Sequence, residues 1–268
     1  MRDCYKILGV PPYASLSEIR SAYRKKAKIL HPDLAENPDD KAFNELQKAY
    51  EILTDSRSRQ IFDEKFKFNQ ETAWTWKPKK DTFDYRLWLL ERNDDESMAK
   101  LIVFDLMRGN EEEAVTIFKK MNMERPGFKM SRWFTREDFM DYGFILSEEL
   151  VLRQEYYDAV IILEQVIKMN YSYDYFRLFF PEVLGLARHI LRNNIEGQLP
   201  DELALDAWER ALELNLGKAD DAFFLEKMAD IYERMGDIQT ADICRTEALN
   251  ICRKKNSSGK QTNYGEYI

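Results

Sequence analysis

Apolar residues recur at three- and four-residue intervals through most of the chain, as in helices that each bury one face. The first long stripe covers residues 16–30 and ends at Pro32, because the residue before a proline is biased out of the helical region. Ser15 and Glu18 have the spacing of a capping box at its start. A second stripe covers residues 43–53, and a short helix is predicted on either side of the pair. Tyr23, Phe43 and Tyr50 are assigned to the shared core of this four-helix mini-domain.

From about residue 84 to residue 255 the chain repeats one motif: a small residue, a bulky residue four positions later, and an apolar residue three positions beyond that. The leading alanines are 45, 45 and 37 residues apart, which is longer than a tetratricopeptide repeat but typical of stacked helix pairs. Four pairs in a right-handed, tetratricopeptide-like solenoid are predicted, with an irregular helical domain as the alternative. The four triples are Ala114/Phe118/Met121, Ala159/Leu163/Val166, Ala204/Trp208/Ala211 and Ala241/Arg245/Ala248.

These patterns divide the chain into a mini-domain at 1–68, a linker at 69–83, a repeat domain at 84–255 and a disordered tail at 256–268. The linker holds Trp74 and Trp76, which either pack on a flanking domain or anchor a partner. An aromatic-rich segment, residues 171–180, is either part of the helical core or a peptide groove.

Composition supports an all-α fold, because 268 residues contain only 10 Gly and 8 Pro, while 44% are apolar. The net charge of −8 is concentrated after residue 70, so the body lacks the positive charge that nucleic-acid binding needs. No apolar run is long enough for a membrane span or a secretory signal. Three widely spaced cysteines form neither a disulfide framework nor a zinc site. We therefore expect a cytoplasmic protein without a metal or other cofactor.

Positive charge is locally concentrated over residues 17–30, where Glu18 is the only acidic residue. A basic stripe on a nearly neutral domain favours an acidic protein surface as its partner, and an ordinary solvated helix face is the alternative. The stripe consists of Arg20, Arg24, Lys25, Lys26 and Lys28.

Five motifs occur in a fixed order: Asp3-Cys-Tyr-Lys-Ile-Leu-Gly-Val10, Ile19-Arg-Ser-Ala-Tyr-Arg24, His31-Pro32-Asp33, Phe43 to Asp55, and Arg59 to Asp63. Together they resemble the J-domain of the DnaJ (Hsp40) family over residues 1 to about 68. The resemblance implies that the tripeptide and the basic second helix dock on ATP-bound Hsp70 and trigger ATP hydrolysis. The residues implied in Hsp70 binding are His31, Pro32, Asp33, Arg20, Arg24, Lys25, Lys26 and Lys28.

The chain departs modestly from the family pattern at Cys4, Leu30, Ala35 and Ala42. It also lacks the Gly/Phe-rich stretch and the four CxxCxGxG zinc repeats of classical members. It therefore resembles class C members, in which the rest of the chain sets location and cargo.

Two functions follow from these expectations. The first is an Hsp70 co-chaperone that stimulates ATP hydrolysis through its J-domain and recruits a client protein, peptide or complex through its repeats. The second is a scaffold or assembly protein whose J-domain is mainly a docking element. An enzyme is not expected, because the sequence offers no nucleophile–base set, phosphate loop or metal cluster.

Overall fold

A computed structural model describes residues 3–30, 40–70 and 84–258, and all regular structure in these ranges is helical. The fold class is therefore all-α, as predicted. Two short 3-10 helices lie between consecutive α-helices, at Met130–Trp133 and Arg177–Phe179. The α-helices are α1 Cys4–Leu8, α2 Leu16–Leu30, α3 Asp40–Thr54, α4 Ser56–Gln70, α5 Tyr85–Arg92, α6 Asp95–Arg108, α7 Glu111–Glu124, α8 Arg136–Leu152, α9 Tyr156–Ser172, α10 Phe180–Asn193, α11 Asp201–Leu212, α12 Lys218–Arg234 and α13 Ile238–Ser258.

The chain forms two compact units, Met1–Ile145 and Leu146–Ile268, which divide within α8. The first unit contains the mini-domain together with α5, α6 and α7, because α2 packs against α6 as well as against α3. The units thus divide the chain at a different place from the predicted linker at residues 69–83. Trp74, Trp76 and residues 259–268 lie outside the described residues.

The capping box predicted at the start of α2 is present. The Ser15 backbone N–H donates to Glu18 Oε2 at 2.9 Å, and the Glu18 N–H donates to Ser15 Oγ at 3.2 Å. Tyr23 of α2 stacks on Tyr50 of α3, with ring centroids 4.0 Å apart. Both residues are half-buried. The buried apolar side chains of α2 and α3 are instead aliphatic, and they include Ile19, Leu46 and Leu53.

Tyr5 joins α1 to α4. Its side chain is 1% exposed, its hydroxyl donates to Asp63 Oδ1 at 2.7 Å, and its ring lies 5.8 Å from that of Phe62. The Asp55 carboxylate accepts from the Ser58 N–H at 2.7 Å and so caps α4. Helix α4 extends to Gln70, beyond the predicted end of the mini-domain at residue 68.

In the rest of the first unit, α5, α6 and α7 pack around a core that includes Leu89, Leu101 and Met121. Helix α6 ends at Arg108 and is capped by Gly109, whose φ of 79° is the left-handed conformation that favours glycine, so the chain turns here between α6 and α7. Asp105 is fully buried and accepts two hydrogen bonds from the Arg86 guanidinium, at 2.7 and 2.9 Å.

The second unit contains α9 to α13, in which α9 packs on α10 and α11, and α12 packs on α13. The predicted triples of α9, α11 and α13 lie in this unit, and the fourth is on α7 in the first unit. All their residues are buried except Arg245, which pairs with Asp230 and Glu233 on α12. Trp208 is 1% exposed and donates its indole N–H to the Leu191 carbonyl at 2.9 Å. Helix α13 reaches Ser258, beyond the predicted end of the repeat domain at residue 255.

The aromatic-rich segment, residues 171–180, is divided between core and surface. Phe176 and Phe179 are buried, whereas Tyr171 and Tyr173 are 52% and 45% exposed. The Tyr171 hydroxyl donates to the Leu214 carbonyl at 2.8 Å and so links α9 to the end of α11. The interpretation as core therefore holds for the phenylalanines at 176 and 179.

Candidate functional site

Helix α2 carries the basic residues predicted to contact Hsp70, and they differ in burial. Lys25 is exposed, Arg20 and Lys26 are half-buried, and Arg24 is buried. The His31-Pro32-Asp33 tripeptide and the side chain of Lys28 lie outside the described residues. The positions of Arg24 and Lys26 differ most from a simple solvent-facing stripe.

Lys26 holds α1 against α2. Its Nζ donates a 2.7 Å hydrogen bond to the carbonyl oxygen of Ile7, near the C-terminus of α1. The adjoining turn depends on Gly9, which has a φ of 73° and whose Cβ, if it had one, would lie 3.0 Å from Lys26 Nζ. The ammonium group thus satisfies one of the carbonyl oxygens that a helix end leaves without an intrahelical partner.

Arg24 points away from solvent and is only 4% exposed. Its guanidinium carbon lies 5.0 Å from the ring centroid of Phe144 on α8, which is the geometry of a cation–π contact. Its Nε and Nη2 are buried and have no hydrogen-bond partner among the residues that the structure describes. The most basic face of α2 therefore carries one charge that is covered by another part of the same unit.

The start of α2 also lies against the end of α6. Ser15 Oγ donates to the Met107 carbonyl at 3.5 Å, and a Cβ built on Gly109 would lie 3.6 Å from Ser15 Cβ. The pattern of basic residues on α2 did not predict this second contact surface. The one sequence feature that indicates it is the small size of Ser17 and Ser21, which share a helix face with Arg24 and are also buried.

Metal-binding groups and reactive thiols were also sought among the described residues. Within them, no group of three or more His, Cys, Asp or Glu side chains could hold a metal ion. Burial raises the pKa of both the Cys4 and the Cys244 thiols, which disfavours their nucleophilic thiolate forms. None of the helices in the described ranges is long and apolar enough to cross a membrane.

Comparison with known proteins identifies the N-terminal domain. Residues 3–63 match the family model of the DnaJ domain. Human DnaJ homolog subfamily B member 11 is 53% identical over 66 residues, which cover 23% of this chain and 18% of that protein. Chaperone protein DnaJ 1 of Cutibacterium acnes is 51% identical over 61 residues, or 23% of this chain and 16% of that protein. No solved structure matches the chain.

The chain thus spans less than a fifth of the length of these relatives, and the similarity is confined to one domain. The matched range contains α1, α2, α3 and about half of α4, which the structure folds into the four-helix mini-domain. Residues 3–63 are therefore a DnaJ domain, or J-domain, and the described residues that follow it form further helices.

Proposed function

We propose that this protein is an Hsp70 co-chaperone. Its J-domain would stimulate ATP hydrolysis by Hsp70, and the helices after residue 84 would hold a client protein or complex. The observation that carries the proposal is the DnaJ-domain match over residues 3–63, in which the His31-Pro32-Asp33 tripeptide is intact.

The chemistry of the J-domain supports this proposal. Lys25 is exposed on α2, so its charge can face an acidic surface, where positive charge accelerates association. Asp33 is a charged acceptor suited to an arginine of the partner. The packing of Tyr5 against α4 and the Lys26 hydrogen bond to α1 hold α2 in a fixed orientation within the domain.

The remaining parts of the proposal concern the chain after the J-domain. We place the protein with class C members, in the cytoplasm, with tetratricopeptide-like helix pairs as the client-binding part and no enzymatic activity of its own. The direct packing of α6 on α7 and of α12 on α13 supports the helix pairs. Burial of the small-bulky-apolar triples supports a regular core for them.

A scaffold is the second candidate, and one observation favours it. Of the basic residues assigned to Hsp70 binding, Arg24 is buried against Phe144 and Lys26 is bonded to Ile7. A J-domain that serves only as a docking element needs no accessible basic stripe, so this arrangement suits a scaffold as well.

The two candidates are separated by single-turnover ATP hydrolysis by Hsp70 from the source organism, with the full chain and its Asp33→Asn variant. Asp39→Asn, in the same polar segment, is the matched control. A co-chaperone predicts stimulation by the wild type and by Asp39→Asn, and loss of stimulation in Asp33→Asn without a change in melting temperature. If the wild type stimulates none of the organism's Hsp70 proteins, the scaffold is favoured.

A further inference from the structure

Helix α2 is buried on two sides. One side is the J-domain core, where Ile19 and Ala27 are at most 1% exposed. The other consists of Ser17, Ser21 and Arg24, which are 0%, 7% and 4% exposed. At about 100° per residue these three lie within about 60° of one another, on a different face from the core stripe. An isolated four-helix domain would leave this second face in water.

The second face is covered by helices that follow the J-domain in the same compact unit. Helix α2 packs against α6, and Ser15, at its N-cap, approaches Met107 and Gly109 at the end of α6. One residue before the end of the unit, the Phe144 ring of α8 lies against the Arg24 guanidinium. The contact therefore covers the helix that the proposed function assigns to Hsp70 binding.

The Phe144 ring is a weaker partner for Arg24 than an acidic group would be. A buried charge is well stabilised by a carboxylate and by hydrogen bonds to each of its donors. Arg24 has the Phe144 ring instead, and two of its three nitrogens have no hydrogen-bond partner within the described residues. A cation–π contact compensates only in part for the loss of water. A partner that offered an acidic group would satisfy Arg24 better than Phe144 does.

We propose that the docking of α2 on α6 and α8 is an autoinhibitory contact, which withholds Arg24 from Hsp70 until α2 separates from these helices. This inference rests on the proposed co-chaperone function. The apparent affinity for Hsp70 is then reduced by the fraction of molecules in which the contact is open. A client that binds α6 or α8 better in the open form raises that fraction, so that loading of a client and activation of Hsp70 are coupled.

A reversible cross-link tests the proposal in the full chain. The 3.6 Å separation between Ser15 Cβ and a Cβ on Gly109 falls in the disulfide range of about 3.5–4.5 Å. We would therefore prepare Ser15→Cys/Gly109→Cys in a Cys252→Ser background, because Cys252 is the exposed native thiol. The variant is oxidised, freed of oxidant and then mixed with Hsp70, so that the Hsp70 thiols are untouched.

At Hsp70 concentrations below saturation, we expect the oxidised variant to stimulate ATP hydrolysis at least about tenfold less than the same protein after reduction. The reduced form is its own control for the loss of the Ser15 cap and for a non-glycine residue at position 109. Phe144→Leu keeps an apolar side chain but removes the aromatic face, and we expect it to increase stimulation about threefold.

Three results would overturn the proposal, and they are distinguishable. Equal stimulation by the oxidised and reduced variants removes the autoinhibitory role and leaves the co-chaperone function intact. Failure of the two cysteines to form a disulfide shows that α2 does not dock at α6. Absence of stimulation by the wild type and by every variant removes the co-chaperone function, and the autoinhibitory role with it.

Discussion

The Nζ of Lys26 lies 2.7 Å from the carbonyl oxygen of Ile7 and donates a hydrogen bond to it. Helix α1 has only five residues, so few of its carbonyl oxygens have intrahelical partners. A lysine that the sequence assigns to a binding stripe is thus part of the structure that positions the stripe. Lys25, its neighbour, is exposed, which allows structural and binding roles to be separated.

Lys26→Met is expected to lower the free energy of unfolding by about 1–2 kcal/mol, because it leaves the half-buried Ile7 carbonyl without its charged donor. Lys25→Met removes the same charge from an exposed position and is expected to change that free energy by less than about 0.5 kcal/mol. Urea unfolding of the two variants and the wild type at neutral pH measures both effects. Equal destabilisation would show that the hydrogen bond to Ile7 contributes nothing.

Lys25→Glu is expected to slow association with Hsp70 at low ionic strength, since an exposed positive charge acts mainly on the rate of encounter. Salt screens exposed charges beyond about 10 Å at 0.1 M, so the difference from the wild type should shrink as salt is added. Stopped-flow association rates at several salt concentrations measure this. Lys48→Glu, at another exposed position on α3, is the matched control, and an identical loss there would indicate a general charge effect.

The local features of the fold were predictable because their causes are close together in sequence. Ser15 and Glu18 form their capping box within one helical turn. The Ala204/Trp208/Ala211 triple is buried because its spacing puts all three side chains on one face. In both cases the residues that determine the local structure lie within a few positions of one another in the sequence.

The surroundings of the candidate site were not predictable in the same way. Phe144 is 120 residues after Arg24, and nothing local to α2 indicates that an aromatic ring covers this position. The partner of Lys26 is a backbone carbonyl, and every residue has one, so no residue type identifies it. The sequence shows which residues of the stripe are charged, but which of these charges reach solvent depends on packing between distant helices.

Tyr5→Phe is expected to lower the free energy of unfolding by about 1 kcal/mol at neutral pH, because it removes the hydrogen bond to Asp63. It should also weaken the alkaline loss of stability. Burial, reinforced by the hydrogen bond to Asp63, raises the pKa of Tyr5 to about 12, from an ordinary value of 10.0.

The sign of this pH dependence is fixed. Between pH 10 and about 12 the unfolded chain loses the Tyr5 proton while the folded protein keeps it, so the folded state binds more protons. Stability therefore falls as pH rises through this window. Urea unfolding of the wild type and Tyr5→Phe from pH 8 to pH 11.5 isolates the contribution of Tyr5, because the other tyrosines are common to both. Parallel pH profiles would contradict the assignment.

Trp208→Ala is expected to lower the free energy of unfolding by about 3–5 kcal/mol. The indole is 1% exposed and its N–H donates to the Leu191 carbonyl, so the change leaves both a cavity and an unsatisfied oxygen. Trp133→Ala, at a position 37% exposed, should cost less than half as much. Urea unfolding followed by circular dichroism compares the two. A similar loss for both variants would contradict a central packing role for Trp208.

Arg24→Met is expected to leave the free energy of unfolding unchanged or to raise it by up to about 1 kcal/mol. The change removes a cation–π contact of about 0.5–2 kcal/mol. It also removes a buried charge whose Nε and Nη2 donate no hydrogen bond within the described residues, and apolar replacements of buried charges are often neutral or stabilising. At an arginine that pairs with a buried carboxylate, the same substitution would instead strongly destabilise the protein.

Thermal and urea unfolding of the full chain measure the effect of Arg24→Met, with Arg20→Met as the control on the same helix. A loss of more than about 2 kcal/mol would show that Arg24 is a structural anchor of α2, which is incompatible with its release to a partner.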